Sequence, residues 1–454
     1  MAKGHYRGIT LVLLGVALYG CPIDDAKVGE AGSSSSSGTG GGGGMATSSS
    51  SSSGGMGGAG GIGGAGGGSG GSGGIGGAGG IGGGSGGAGG SGGMGGCPVD
   101  PGLPGSCDAP GCPACPALVM FAVGAQGGIT NRFQSKDGWT METAHDEKST
   151  DAPAFVILPG QKTGVAVLHS TDVVTKDRVR VSIWTEANGF GAVTNLGNNL
   201  TTRAMPSAAA SSAAAHIVYQ DVNDNRYWYA AFTAVGGFGP TNEEVKVGAS
   251  TYSLGDAAAA ITVLGLDPVI TNDGWNDPNL YTQRRAAGAW EAATQHVAGF
   301  DVDDSTPAIA ALSQGPELVV VFARATDKQL FFLTRTGGTW STQPAEITGA
   351  KSTETALLAL PSGGALLAFR DAATSKLNYS RFNGTSFSPV GVIDSAELVG
   401  RPALALGAGD AEAELVYVDT DGRAQHLRLQ AGTFGLPVLV GGTDLAGVAI
   451  ATNL

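Results

Sequence analysis

No stretch of this 454-residue chain offers the roughly 20 consecutive apolar residues that a bilayer-spanning helix needs. An integral helical membrane protein is therefore not expected. Basic residues are also short: 25 Lys and Arg stand against 38 Asp and Glu, for a net charge of −13. Nucleic acid and anionic lipid surfaces repel such a chain and are poor partners. The 6 histidines show no metal-ligand spacing, and the sequence outside its glycine tracts holds no Gly-x-Ser-x-Gly elbow and no phosphate loop. Asp221, Asn223 and Asn225 have the spacing of a calcium loop's first ligands. Arg226 and Phe232 then occupy the places where glycine and glutamate are required. Asp301, Asp303 and Asp304 read as a solvated turn. No cofactor and no metal is expected.

What the chain does contain begins with an export signal over residues 1–20. Lys3 and Arg7 precede a short apolar run at 9–19. The run ends in Leu18-Tyr19-Gly20-Cys21, which resembles the lipobox of bacterial lipoproteins. The resemblance implies cleavage before Cys21, lipid on that cysteine, and a protein anchored in the bacterial cell envelope, at the outer membrane or cell surface. An ordinary signal peptide that happens to end in cysteine is the alternative. Residues 21–96 form a tether dominated by serine runs and Gly-Gly-X triplets. It has too few large side chains to offset ordering entropy, and a random coil of this kind spans about 45 Å. Cys97, Cys107, Cys112 and Cys115 then crowd into a Pro- and Gly-rich segment, 97–116. In an oxidising compartment two disulfides are the expectation, with three connectivities open. A four-thiolate zinc site is the rival, though only the last pair has the two-residue gap.

The remainder, 117–454, repeats. Trp139, Phe190, Phe238, Trp290, Trp340, Phe387 and Phe434 follow one another at steps of 51, 48, 52, 50, 47 and 47 residues. A period near fifty with strand-like runs inside predicts a β-propeller: all-β, seven four-stranded blades. One repeat shows the plan: a small-residue run at 307–312, ELVVVFA at 317–323, QLFFLT at 329–334, and an outer strand from 339 that starts at Trp340. Continuous apolar runs mark sheets buried on both faces. Alanine collects in the first strand, as at 208–210, 257–260, 308–311 and 403–405, where blades converge on the axis. The alanine-rich stretch 207–215 prefers helix in isolation, yet repeat phase makes it a strand junction. The first copy lacks a first strand, and residues 447–454 supply one, so the C-terminal strand is expected to complete the first blade beside 118–122 and hide the sheet edges.

The ends of the second strands carry polar residues: His169 and Asp172, Gln220 and Asp221, Asn272 and Asp273, Arg324 and Asp327, Arg370 and Asp371, Asp419 and Asp421. Such a ring suits a charged or polyhydroxylated ligand. Arg324, Arg370, Asp371, Gln220, Asp221 and Asp419 are the candidate ligand-binding residues. The plain alternative is that Asp and Asn sit there because turns favour them. Arg324 and Arg370, placed at matched positions in adjacent repeats, have no such reason.

The segment from Val319 to Leu330 with Gly337-Gly-Thr-Trp340 resembles a blade of the seven-bladed fucose-binding bacterial lectins and of the sialidase superfamily. Gly337, Thr339 and Trp340 match the sialidase Ser-x-Asp-x-Gly-x-Thr-Trp box, with Arg335 in place of its aspartate. The lectin resemblance implies sugar sites between blades. A sialidase would need three arginines and a Tyr–Glu pair, and two matched arginines are present without an assignable pair. The expectation is a non-catalytic, monomeric module that binds a glycan or a surface protein. A sialidase-like glycoside hydrolase and a structural envelope scaffold are the alternatives.

Overall fold

Leu318, Val319, Val320, Val321, Phe322 and Ala323 are all buried, six in a row. A strand with one wet face would alternate, so this one must be covered on both. In the computed structural model it is. Val319, Val321 and Ala323 pack with Leu367 and Phe369 of the following sheet. Leu318, Val320 and Phe322 pack with Val269 and Leu280 of the preceding one. The same division recurs in Leu118–Gly124. There Leu118, Met120 and Ala122 join Val416 and Val418, while Val119, Phe121 and Val123 join Phe155 and Leu168. Each fully buried Val, Leu or Phe contributes about 1.5–3 kcal/mol of transfer free energy, and here both faces of a single strand collect it.

The structure describes residues 118–135, 138–140, 143–170, 178–186, 188–196, 202, 204–240, 242–246, 253–255, 258–274, 277–296 and 300–452. The expected signal, tether and cysteine segment, with Cys21, Cys97, Cys107, Cys112 and Cys115, lie outside them. The described residues form strands and turns with no helix, so none is long and apolar enough to cross a membrane.

All strand pairs within the sheets are antiparallel. One sheet runs outward as Ala308–Ala311, Leu318–Ala323 and Gln329–Thr336. Two outer pieces, Thr339–Trp340 and Ala345–Lys351, both pair with the third strand. The single outer strand expected from 339 is therefore split. Pro344 lies in the gap and has no N–H to give a ladder. Similar sheets are built from Ala154–Ile157, Ser207–Ala210 and Ala260–Leu264 as inner strands. The 207–215 stretch is two strand pieces around a turn, Ser207–Ala210 and the start of Ala215–Gln220. Tertiary pairing has overridden its helical propensity. In the next copy the inner strand begins only at Ala260, so most of 257–260 precedes it.

Another hydrogen-bonded assembly has eight strands, because Gly391–Leu406 serves two sheets. Its first part is the outer partner of Lys376–Phe382, and its last part is the inner partner of Ala413–Asp419. The register shifts between Val399 and Ala403. Gly400 makes the bend at φ 70°, where a Cβ would sit 3.2 Å from the Ala446 carbonyl oxygen.

The C-terminal strand Leu445–Thr452 pairs with Leu118–Gly124, from Leu118 opposite Thr452 to Gly124 opposite Leu445. The tail thus supplies the first sheet's inner strand, as the sequence led one to expect. Each inner strand touches the next: Ala154–Ile157, Ser207–Ala210, Ala260–Leu264, Ala308–Ala311, Thr355–Ala359, Gly391–Leu406 and Leu445–Thr452, which returns to the first. Radial antiparallel sheets closed around an axis make a β-propeller.

The periodic aromatics staple neighbouring sheets. Phe190 packs edge-on to Phe121 at 4.3 Å, Trp290 to Tyr229 at 5.5 Å, Trp340 to His296 at 4.7 Å, Phe387 to Phe332 at 5.1 Å and Phe434 to Tyr379 at 5.1 Å. Trp139 closes the circle against His426 at 5.4 Å. In each pair the partner belongs to the preceding sheet. Phe238 instead meets Phe232 of its own sheet.

Candidate functional site

Each inner strand pairs with its sheet along one edge only. The other edge faces the axis, so the axial channel is walled by main-chain amides and carbonyls as well as small side chains. Neighbouring sheets satisfy some of these groups. Ala311 N donates to Thr262 Oγ1 at 3.2 Å, and Thr452 Oγ1 donates to Leu406 O at 2.5 Å. The channel encloses about 580 Å³. Ala154, Ala208, Ala308, Ala356 and Ala403 are among its lining residues, and the convergence of strands explains their size.

One mouth lies where the inner strands begin, and there the lining becomes polar: Thr150, Asp151, Thr306, Glu354 and Arg401. Buried hydroxyls fix the linkers that carry two of these groups. Ser149 Oγ donates to Asp151 O at 2.8 Å, and Ser352 Oγ donates to Glu354 O at 3.1 Å while accepting from Glu354 N at 2.9 Å. Thr202 makes the same bond to Ala204 O at 2.6 Å. Arg401 follows the Gly400 bend and reaches across the channel, where its Nη2 donates to Thr306 O at 3.4 Å. It has no ion-pair partner within 4.0 Å among the described residues, and it remains partly open to water. Burial lowers its proton affinity, while Glu354 and Asp151 act in the opposite sense. Arg401 stays a cation, as guanidinium groups in proteins do. Asp151 lies 3.4 Å from His169 Nδ1, and Glu354 accepts from Arg370 Nη1 at 3.3 Å. The mouth therefore presents one guanidinium, two carboxylates and threonine hydroxyls around a wall of alanine.

The second-strand ends lie on this same face, but most of their groups serve their own turns. Asp371 Oδ1 accepts from Ala373 N, Thr374 N and Thr374 Oγ1. Asp419 takes Asp421 N and Arg423 N on one oxygen, and Arg423 Nε with Gln425 Nε2 on the other. Asp221 Oδ1 takes Asn223 N at 2.7 Å, and Gln220 donates to Gly255 O. Arg324 grips Asp327 with two bonds, 3.0 and 2.7 Å, which holds the Asp327 carboxyl down at about 2. Arg324 also covers Phe331 at 5.0 Å. Arg370 donates to Leu398 O at 2.9 Å, to Ser375 Oγ at 2.8 Å and to Glu354.

Arg324 and Arg370 do not occupy matched positions. The turns open at Asp221, Arg324 and Asp371, whose carbonyls accept from Asn225 N, Lys328 N and Ser375 N. Each of those last three residues has φ near 58°. Arg324 therefore corresponds to Asp371, and Arg370 stands one residue earlier. A one-residue offset changes sheet face, so only Arg370 reaches a channel residue. Asp172 lies outside the described residues.

Asp151, Glu354 and Arg401 escaped the sequence analysis because they sit between strands, where no periodic apolar pattern marks them. A signal existed: Asp151, Thr306 and Arg401 come one or two residues before Pro153, Pro307 and Pro402, at the start of each copy. No tyrosine among the described residues lines the channel. Burial pushes Tyr219 up, and Tyr229, Tyr281 and Tyr417 up to about 12.

No protein-family model matches the chain, and no curated protein matches it. Among solved structures it is similar to the fucose-specific lectin of Aleuria aurantia, with a TM-score of 0.43, 11% identity, and coverage of 64% of this chain and 97% of the lectin. It is similar to AofleA of Arthrobotrys oligospora, in an arginine-to-alanine mutant, with a TM-score of 0.46, 10% identity, and coverage of 71% and 96%. It is also similar to the sialidase of Trypanosoma rangeli, with a TM-score of 0.40, 10% identity, and coverage of 67% and 56%. Likeness at this level carries no functional weight, and what the mouth can bind rests on its own groups.

Proposed function

We propose that this chain is a non-catalytic binding module: a seven-bladed propeller, with Gly391–Leu406 counted into two blades, that holds a glycan at the polar mouth of its axial channel. The observation that carries this is the placement of Arg401 among Asp151, Glu354 and Thr306 at the head of an alanine-walled channel. Carboxylates accept hydroxyl hydrogens, a guanidinium donates in a fixed fork, and the mouth offers both over a short span. A hydroxyl-rich ligand can engage each without leaving a charge unpaired. Arg370 belongs to the same site as a positioning residue, because it holds Glu354. Arg324, Asp371, Gln220, Asp221 and Asp419 support the surrounding turns.

Glycan-array binding by the purified protein, compared with Arg401→Ala and Glu354→Gln, tests this. Both variants are expected to lose at least about tenfold in affinity, the size of one charge-assisted contact. Turnover of fluorogenic glycosides, lost in the same variants, would instead favour the sialidase-like hydrolase.

We further propose that Cys21 carries lipid and that residues 21–96 hold the propeller away from the bacterial envelope. Palmitate labelling that disappears in Cys21→Ser is the expected result, and labelling that persists would refute the anchor.

A further inference from the structure

Among the described residues, the outer strands pair with their sheets along one edge only. Strand register identifies the corresponding outer residues from sheet to sheet: Thr194 and Asn195, Glu243 and Glu244, Thr294 and Gln295, Ala345 and Glu346. Polar and charged side chains blunt such an edge against other chains. The last sheet departs from this pattern. Its corresponding residues are Val438 and Leu439, opposite His426 and Gln425. Each is 55% exposed, and Leu436 just before them is 88% exposed. Pro437 extends the same apolar surface.

The chain itself supplies a cover. Leu118, where the first sheet begins, packs in one cluster with Val440 of that outer strand, and Trp139 lies against the cluster. Residues 97–117 therefore arrive at the seam between the first and last sheets. Val438 stands two residues from Val440 and shares its face. From a second strand to an outer one is two or three spacings of about 4.8 Å, which about five residues of extended chain can cross. The composition of 97–117 suits the surface: Val99, Leu103 and repeated prolines, with Asp100 and Asp108 its only charges. Proline-rich chain has little conformational freedom to lose and docks on aliphatic and aromatic side chains. We propose that residues 97–117 fold back over Leu436, Val438 and Leu439 and cover the outer edge of the last sheet. A second copy of the chain is the rival occupant. A segment joined to the fold at Leu118 acts at an effective concentration in the millimolar range, which favours it over a separate molecule. Covered in this way, the seam closed by the C-terminal strand is clamped from outside. The cover stands independently of the ligand assigned to the mouth.

Photo-crosslinking on the purified full chain is the test, with p-benzoylphenylalanine replacing Leu436 in one preparation and Glu346 in another. Both side chains are exposed, so neither replacement disturbs the core. Glu346 occupies the place of Leu439 in another sheet, opposite Phe331. Irradiation should join position 436 to residues 97–117 within one molecule, and position 346 should give no such adduct. Val99→Asp with Leu103→Asp, outside every described strand, should abolish the adduct from 436. The proposal is overturned if 436 gives no adduct with 97–117, or if its adducts join two molecules. It is equally overturned if 346 captures the segment as well as 436 does, which would mean contact by random collision.

Discussion

Two histidines that the ligand site does not use give the molecule a pH response. His216 contacts Tyr229 Oη at 2.7 Å and Ser211 Oγ at 3.2 Å, and His296 contacts Thr282 Oγ1 at 2.8 Å under the Trp340 ring. Burial pulls both down to about 4. An unfolded histidine titrates near 6.5, so the unfolded chain binds more protons between pH 6.5 and 4. Stability is therefore fully present above about pH 6.5 and falls as pH drops towards 4, by at most about 3 kcal/mol per histidine. Acid unfolding followed by circular dichroism should begin below pH 6.5, and His296→Gln should move its midpoint to lower pH. An acid midpoint unmoved by His296→Gln would show that this histidine does not carry the effect. At this scale the sequence revealed residue types but not roles. Arg324 and Arg370 looked equivalent because each ends an apolar run followed by an aspartate turn. Their one-residue offset became visible only through the turn hydrogen bonds.

At the scale of the strand, the apolar runs were legible because a sheet covered on both faces has no reason to alternate. Leu366 and Leu367 illustrate it, both fully buried but assigned to different interfaces. Leu367→Ala should cost about 2–5 kcal/mol by leaving a cavity against Val319 and Val321, measurable as a lower denaturant midpoint with an unchanged slope. A cost under 1 kcal/mol would mean that the interface is loosely packed. The split outer strands were not legible, since the break at Pro344 resembles an ordinary loop. The shared strand Gly391–Leu406 was hidden for the opposite reason. Its bend depends on Gly400 alone, and the run on either side reads as one extended segment.

The whole molecule depends on its ends meeting. Val448 and Ile450 of the tail join Leu118, Met120, Val416 and Val418 in one core cluster, so the last strand completes an interface that the first strand begins. Removing residues 443–454 should abolish cooperative unfolding, because it opens a sheet edge and uncovers that cluster. A truncated chain with a native-like, sharp melt would contradict closure by the tail. The period of the aromatics made the ring readable from sequence, since all of them but Phe238 pack against a ring of the sheet before. The axial mouth was unreadable because Asp151 lies 203 residues before Glu354 and 250 before Arg401, and the three converge only once the ring is closed.

That convergence carries the proposed glycan site, and a glycan-array profile of the native protein beside Arg401→Ala and Arg324→Ala tests it most directly. The expected profile is a defined set of glycans bound by the native chain and by Arg324→Ala, and lost in Arg401→Ala with an unchanged melting temperature. Undiminished binding by Arg401→Ala, with loss in Arg324→Ala, would place the site on the outer turns and contradict the account.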